Sequence, residues 1–329
     1  MIISSILEGI GKRDFLVIGR VGMDLSPTPP GTRTRDAQTM MVAMGGSSAN
    51  IAAGLVKFGC RAALVTSVSD DAVGWYCENQ LDAYGIDRTH VKRIRGEERT
   101  SLAVYETRVE EHQSVIYRNN AADFQMNVAD VEAIDYSRYG ALITAGTVFA
   151  AEPSRSATFR AFELAREAGL PIIFDIDYRP YSWPSAEFAE DVLSRAGALS
   201  DIIVGNDEEF GFMAGNIAKG RDKARELAAS SAGIVVYKMG PKGAETFADG
   251  EAFRTGIYPV EAIKPTGAGD SFMAGLLASL SEGRAMKEAV LRGSACASIV
   301  VSKPGCAPAM PDAEALEAFL ASHPGPTES

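Results

Sequence analysis

Late in the chain, Thr266-Gly267-Ala268-Gly269-Asp270 runs directly into an apolar helical stretch carrying Phe272, Leu276, Leu277 and Leu280. Glycines there let backbone N–H groups point into one concavity at a helix N-terminus, where the dipole favours an anion. An Asp in the first turn then sits beside that anion. A carboxylate next to phosphate is electrostatically costly, so its chemistry would be to accept a hydroxyl proton during phosphoryl transfer. Taken alone, a glycine turn with an Asp cap explains the motif equally well, because short glycine motifs are common.

Four further clusters could serve the same chemistry. Gly45-Gly46-Ser47-Ser48-Ala49-Asn50 precedes an amphipathic run of Ile51, Leu55, Val56 and Phe58. Its glycines permit close backbone approach to a ligand, and Asn50, about one turn into the helix, could turn its amide toward a sugar hydroxyl. In isolation a strand-to-helix turn capped by Ser47 is the better reading. Asn206-Asp207-Glu208-Glu209 places Asn206 and Glu209 three apart on one helix face, where hydrated magnesium could sit with substrate phosphates. An acidic helix start favoured by the dipole is the plainer alternative. Lys238-Met239-Gly240-Pro241-Lys242-Gly243 could cover a nucleotide or form an ordinary β-turn. Asp175-Ile176-Asp177-Tyr178-Arg179-Pro180 sets two acids and an Arg at the end of a buried strand, and here function is the better reading, because charged groups at such an end need partners.

Holding these clusters together requires a layered scaffold. Short β-rich runs at Phe15–Ile18, Ala62–Val65, Ala141–Thr144, Pro171–Phe174, Ile202–Val204 and Ile234–Tyr237 suit strands buried on both faces. Helical segments at Ser47–Phe58, Ser154–Ala168, Ala186–Arg195 and Arg221–Ala229 alternate with them, which predicts a parallel sheet in an α/β/α sandwich. A further strand is expected at Gly256–Val260, before the glycine motif. Two segments break the rhythm, about 23–44 and 94–120, where Tyr105, Val109, Val115 and Tyr117 alternate with polar residues. They are expected to form a small antiparallel β insertion acting as a lid. One domain over 14–321 and a disordered tail over 322–329 complete the expectation.

Composition narrows the function classes. With 32 basic and 43 acidic side chains, the 329-residue chain carries a formal charge of −11, which argues against nucleic acid as a partner. No apolar stretch reaches the roughly 18 residues of a membrane span, and the opening residues lack a signal core. Cys60, Cys77, Cys296 and Cys306 lie far apart, as reduced cytoplasmic thiols would. His90, His112 and His323 have no ligand-like neighbours, so a histidine-bound metal is not expected.

In this order and at these separations, the G-G-x-x-A-N, N-x-x-E and G-A-G-D elements resemble the ribokinase-like PfkB family of sugar kinases. The resemblance covers roughly Asp14 to Leu320 and implies ATP, magnesium and a β lid closing over the sugar. It implies Asp270 as catalytic base, with the amides of Gly267, Ala268 and Gly269 as the anion hole. It further implies Asn206 and Glu209 for magnesium, and Asp24, Gly45, Gly46 and Asn50 for the sugar. Lys238, Gly240 and Gly243 would flank the nucleotide, with Cys296 and Ser298 approaching the adenine. One departure stands out: the family often carries Asp-Thr before the glycine motif, the Asp helping to bind a monovalent cation, whereas this chain reads Lys264-Pro265. An ammonium could fill the same electrostatic role, and potassium is not expected as a cofactor.

Within the family, Gly19–Asp24, Ala151–Arg155 and Asp175–Pro180 look most like members that act on an acid sugar. Arg20, Arg33, Arg35, Arg118 and Arg179 lie in or beside the sugar-facing segments, and Arg binds carboxylates through paired hydrogen bonds. Arg118 and Arg179, with Asp177, are expected at the sugar; Arg33 and Arg35 are expected to pair with surface acids. A kinase for another acid sugar or for a neutral sugar, and a non-catalytic sugar sensor, are the alternatives. A homodimer formed through the lid is also expected.

Overall fold

The computed structural model describes residues 2–108 and 110–327; Val109, placed above in the alternating lid pattern, lies outside them. Nine strands form the main sheet, in the order β13-β12-β11-β10-β9-β8-β1-β4-β5. They are β1 (Asp14–Ile18), β4 (Arg61–Ser69), β5 (Val91–Ile94), β8 (Ala141–Ala145), β9 (Ile172–Asp175), β10 (Ile202–Asn206), β11 (Ile234–Lys238), β12 (Ala244–Ala248) and β13 (Glu251–Thr255). Neighbours pair in parallel from β11 through to β5, while β12 and β13 add an antiparallel hairpin at one edge.

Successive strand residues serve opposite faces, and both faces are apolar. Phe15 and Val17 of β1, Ile143 of β8, Val204 of β10 and Val236 of β11 pack in one core; Leu16, Ile18, Leu142, Ile203 and Val235 pack in the other. Continuous Val/Ile/Leu runs follow from this two-sided burial. The first face is covered by α1 (Ile3–Gly11), α2 (Ser47–Lys57), α3 (Ala72–Tyr84), α9 (Ala268–Ser281), α10 (Met286–Val301) and α11 (Ala313–Ser322). The second is covered by α4 (Val128–Glu132), α5 (Ser154–Glu167), α6 (Ala186–Ala198), α7 (Asp207–Met213) and α8 (Gly220–Ser230). The result is the expected α/β/α sandwich.

The lid is a separate four-stranded sheet, ordered β3-β2-β6-β7, from β2 (Gly22–Thr28), β3 (Thr39–Gly45), β6 (Leu102–Tyr105) and β7 (Ser114–Tyr117). It falls within both expected segments. Its two hairpins are antiparallel, but β2 and β6 join them in parallel, which alternation along single strands cannot reveal. Cross-strand partners Val42, Leu25, Val104 and Val115 form one apolar row on a common face.

Two local expectations need correction. Gly256–Val260 is not a strand: β13 ends at Thr255, and the following residues run irregularly along the cavity described below. In the tail, Ser322 closes α11, and Thr327 donates from its N–H to the Ile257 carbonyl while its Oγ1 accepts from the Ile257 N–H. Residues 328 and 329 lie outside the described part.

Candidate active site

A cavity of about 960 Å³ opens at the carboxyl ends of the main-sheet strands and runs under the lid. Its polar wall comes from the residues that end or follow those strands: Arg20 after β1, Thr147 after β8, Asp175 closing β9, Asn206 closing β10 and Lys238 closing β11. Parallel strands deliver their last residues to one edge, so side chains far apart in sequence meet there. The N-termini of α2 and α9 close the floor, and the lid contributes Asp24, Ala103, Tyr105, Ser114 and Ile116.

Asp270 lies in the first turn of α9, and both its carboxylate oxygens are engaged by α2. Ser47 Oγ donates to Oδ1 at 2.7 Å and Asn50 Nδ2 donates to Oδ2 at 2.8 Å. Burial pushes the Asp270 pKa up, with Asp177 adding to the rise, while the Ser47 and Asn50 bonds oppose it. The Ser47 cap expected from sequence is therefore absent: Gly46 is the N-cap residue, no side chain caps the helix, and the Ser47 hydroxyl serves the carboxylate instead. Asn50 likewise spends its amide on Asp270, leaving its buried Oδ1 without a protein partner.

Asp24, on β2, is almost fully buried, and its Oδ1 also lacks a partner. Burial pushes its pKa up to about 6, against the lowering effect of Arg20. Both residues line the cavity, and buried acceptors left without a hydrogen-bond donor are costly. Gly45 does not line the cavity; a Cβ there would collide with the Asp24 carboxylate, so its role is to leave room for that side chain. Gly46 does line it.

Farther along, Gly267 takes a left-handed φ of 84° as N-cap of α9, followed by Ala268 and Gly269, all lining the cavity. An added Cβ at Gly269 would lie 3.4 Å from Lys238 Nζ, so this cation stands beside the amide loop. Gly240 and Gly243 line the wall next to it. On α10 the helix phase corrects one expectation: Ser294, Ala297, Ser298 and Val301 face the cavity, whereas Cys296 packs against Gly275 of α9. Burial pushes the Cys296 thiol up to about 12, and the other three cysteines are also buried and free of disulfides.

Asn206 and Glu209 form a reciprocal capping box: Asn206 Oδ1 accepts from the Glu209 N–H at 2.9 Å and Glu209 Oε2 accepts from the Asn206 N–H at 2.7 Å. Both also line the cavity, with Glu209 buried and its pKa raised by desolvation against the pull of Lys238. Asp175 is raised well above the ordinary carboxylate range for the same reason. No cluster of three or more His, Cys, Asp or Glu side chains suited to a metal exists among the described residues.

The arginines divide. Arg33 and Arg35 pair with Glu111 and Asp36 at the surface. Arg118 lines the cavity, but its guanidinium is committed to Asp123 and to the Thr147 carbonyl, so it serves packing more than ligand capture. Arg179 pairs with Asp177 at 2.7 Å. Arg20 donates to Ser101 Oγ at 2.9 Å and has no ion-pair partner among the described residues. Sequence reasoning placed Arg20 near the sugar and Asp175 in a functional strand-end cluster without choosing either as a site residue, and it missed Ser47 and Tyr181 as lining residues. A position just after a buried parallel strand was the available signal for Arg20.

Comparison with known proteins gives a consistent result. The family described as pfkB family carbohydrate kinase matches residues 12–313. A 5-dehydro-2-deoxygluconokinase of Photobacterium profundum is 35% identical, over 93% of this chain and 94% of its own. The enzyme of that name from Geobacillus kaustophilus is also 35% identical, covering 94% of each chain. Among solved structures, fructokinase from Vibrio cholerae, with fructose, ADP and calcium bound, is 25% identical with a TM-score of 0.81, over 93% of this chain and 98% of its own. A ribokinase-like protein from E. coli with ATP and magnesium reaches 0.84 at 20% identity, covering 94% of this chain and 99% of its own, and shows the shared fold.

Proposed function

This chain belongs to the pfkB family of carbohydrate kinases, and from that premise we propose that it transfers the γ-phosphoryl group of ATP to a hydroxyl of 5-dehydro-2-deoxy-D-gluconate. The observation that carries the chemistry is Asp270, buried at the start of α9 and gripped by Ser47 and Asn50 beside the Gly267–Gly269 amides. In this reading the hydroxyl oxygen attacks the γ-phosphorus, the bond to the β-phosphate oxygen breaks, ADP leaves and Asp270 takes the hydroxyl proton. A pKa raised by burial makes Asp270 a stronger base than a surface carboxylate. Asp24 and Asn50 Oδ1 supply unpartnered acceptors for sugar hydroxyls, and the lid excludes water that would otherwise compete as phosphoryl acceptor.

Nucleotide use is supported by the ADP-bound fructokinase relative and by the amide loop flanked by Lys238, with Gly240, Gly243 and Ser298 along the same wall. Magnesium, when bound with ATP, neutralises phosphate charge. The donor set fits such a role: Glu209 commits only Oε2 to its cap, and its other oxygen and Asp175 are hard oxygen donors on the cavity wall.

The acid sugar is favoured by Arg20. Burial and Asp177 raise the pKa of Tyr181 while Arg179, Arg20 and Arg118 lower it, so three guanidinium groups lie within electrostatic reach of one point on the cavity wall. Of these three, Arg20 is the one without a carboxylate partner. A coupled ADP-release assay with ATP and magnesium across 5-dehydro-2-deoxygluconate, 2-keto-3-deoxygluconate, fructose, ribose and adenosine tests the reading. Selective turnover of the first is expected. Arg20→Gln should raise KM for that sugar roughly 10- to 100-fold, the worth of a charged hydrogen bond, while kcat changes little. A neutral sugar turning over best would overturn the acid-sugar assignment and leave the kinase standing.

We also propose that a second copy of this chain covers the outer face of the lid. That face presents Met40, Val42, Val115 and Tyr117, all exposed, from the two edge strands β3 and β7. An apolar face with matching margins suits a two-fold contact.

A further inference from the structure

Lys264 is the least expected residue in the molecule. Its relative exposure is 0%, and no other lysine is fully buried among the described residues. Its ammonium donates to the Thr266 carbonyl at 2.7 Å and to the Val300 carbonyl at 3.0 Å. No carboxylate among the described residues lies within ion-pair distance. Burial lowers its pKa, while Cys306, Asp270 and Asp24 favour the charged form. A buried cation answered only by neutral main-chain oxygens is expensive, so a compensating task is expected.

Its two partners show what that task is. Val300 contributes a carbonyl from the last turn of α10, the negative end of that helix. Thr266 contributes the carbonyl of the peptide unit whose N–H belongs to Gly267, the first amide of the anion loop. That unit is planar and trans, so fixing the carbonyl oxygen on the ammonium directs the Gly267 N–H to the opposite side. A carbonyl bonded to a cation also polarises its peptide and strengthens that N–H as a donor. The Cys306 and Val300 side chains pack close beside Gly267, where an added Cβ would press on both.

We propose that Lys264 is a positioning residue that works as a tethered monovalent cation: it holds the carbonyls of Thr266 and Val300, orients the anion loop, and frees turnover from any alkali ion in solution. An ammonium is a compact, singly charged sphere, and carbonyl oxygens replace the water shell of alkali ions in the same manner. The inference rests on the kinase reading above.

Wild-type protein gives the first test: sugar-dependent ADP release, in buffer whose only monovalent cation is a bulky organic ammonium, should be unchanged within twofold by added potassium or ammonium. Several-fold activation by either ion would overturn the proposal while leaving the kinase assignment intact; absence of turnover with every sugar would instead sink the kinase assignment. Two variants then separate charge from shape. Lys264→Ala leaves room for an ion, so kcat should fall at least tenfold and recover saturably with ammonium or potassium. Lys264→Met fills the space, so kcat should fall equally without recovery. Equal recovery of both would show that the ion acts away from the vacated space, and wild-type kcat in Lys264→Met would show that the charge is not needed; either overturns the proposal. A merely structural lysine would not produce ion-selective rescue of one variant, and the wild-type titration remains decisive even where both variants fold poorly.

Discussion

In the proposed mechanism Asp270 is the base and Asp24 a sugar contact, and burial raises the pKa of both. Asp270→Asn keeps the shape and removes the base, so kcat should drop roughly 10²- to 10⁴-fold while nucleotide affinity, read by titration calorimetry, stays within a few-fold. Ser47→Ala is subtler. The Ser47 bond holds the Asp270 pKa down against desolvation, so its loss should move the acid limb of the kcat profile to higher pH. An unmoved limb would mean that the hydroxyl only positions the carboxylate. These residues were differently legible in the sequence. Asp270 announced itself through its glycine context, whereas Ser47 looked like a helix cap because capping and carboxylate binding ask for the same side chain. Arg118 misled for a similar reason: its type suited a carboxylate, but the acid it meets is Asp123, five residues away and equally buried.

At the scale of elements, periodicity told what packs and missed what turns. The six interior strands and four helices read from apolar patterning all exist, with ends shifted by a few residues. Where an element has one cavity face and one packed face, composition alone does not fix its phase. On α10, Cys296 and Ala297 are equally plausible neighbours of a ligand by type, and only the helix rotation selects Ala297. The lid was visible through alternation, but its parallel β2–β6 join depends on chain paths between hairpins. Its outer face leads to a prediction of its own. Val42→Glu places a charge on the edge strand at one end of the apolar row, so the mass from gel filtration should fall from dimer to monomer with little change in ATP-site residues. A wild-type mass of one chain would remove the proposed partner.

Across the whole molecule, the site strains the fold that holds it. Asp24 binds protons more tightly when folded than a free Asp does, with a pKa near 6 against 3.8. The stability it allows is fully present below the unfolded value and is lost as pH rises through about 6. Asp24→Asn should therefore raise the thermal midpoint at pH 7.5 and leave it nearly unchanged at pH 4, while weakening sugar binding at both. Equal midpoint shifts at the two pH values would mean that Asp24 is not the strained group. The gathering of Arg20, Thr147, Asp175, Asn206 and Lys238 at one sheet edge was implicit in the strand pattern, since each ends or follows a parallel strand. Which of them would face inward was not, because loop paths decide it.

The bond between Thr327 and Ile257 bears on how this protein is best handled. Ile257 lines the same wall as Ser298, so these bonds tie the segment after α11 to a wall of the cavity. Helix α1 rests against Gly140 and Pro171, at the far rim of the sheet. A bulky label attached at Thr327 would therefore press on a wall of the cavity, whereas one attached along α1 would sit at the opposite ends of the strands.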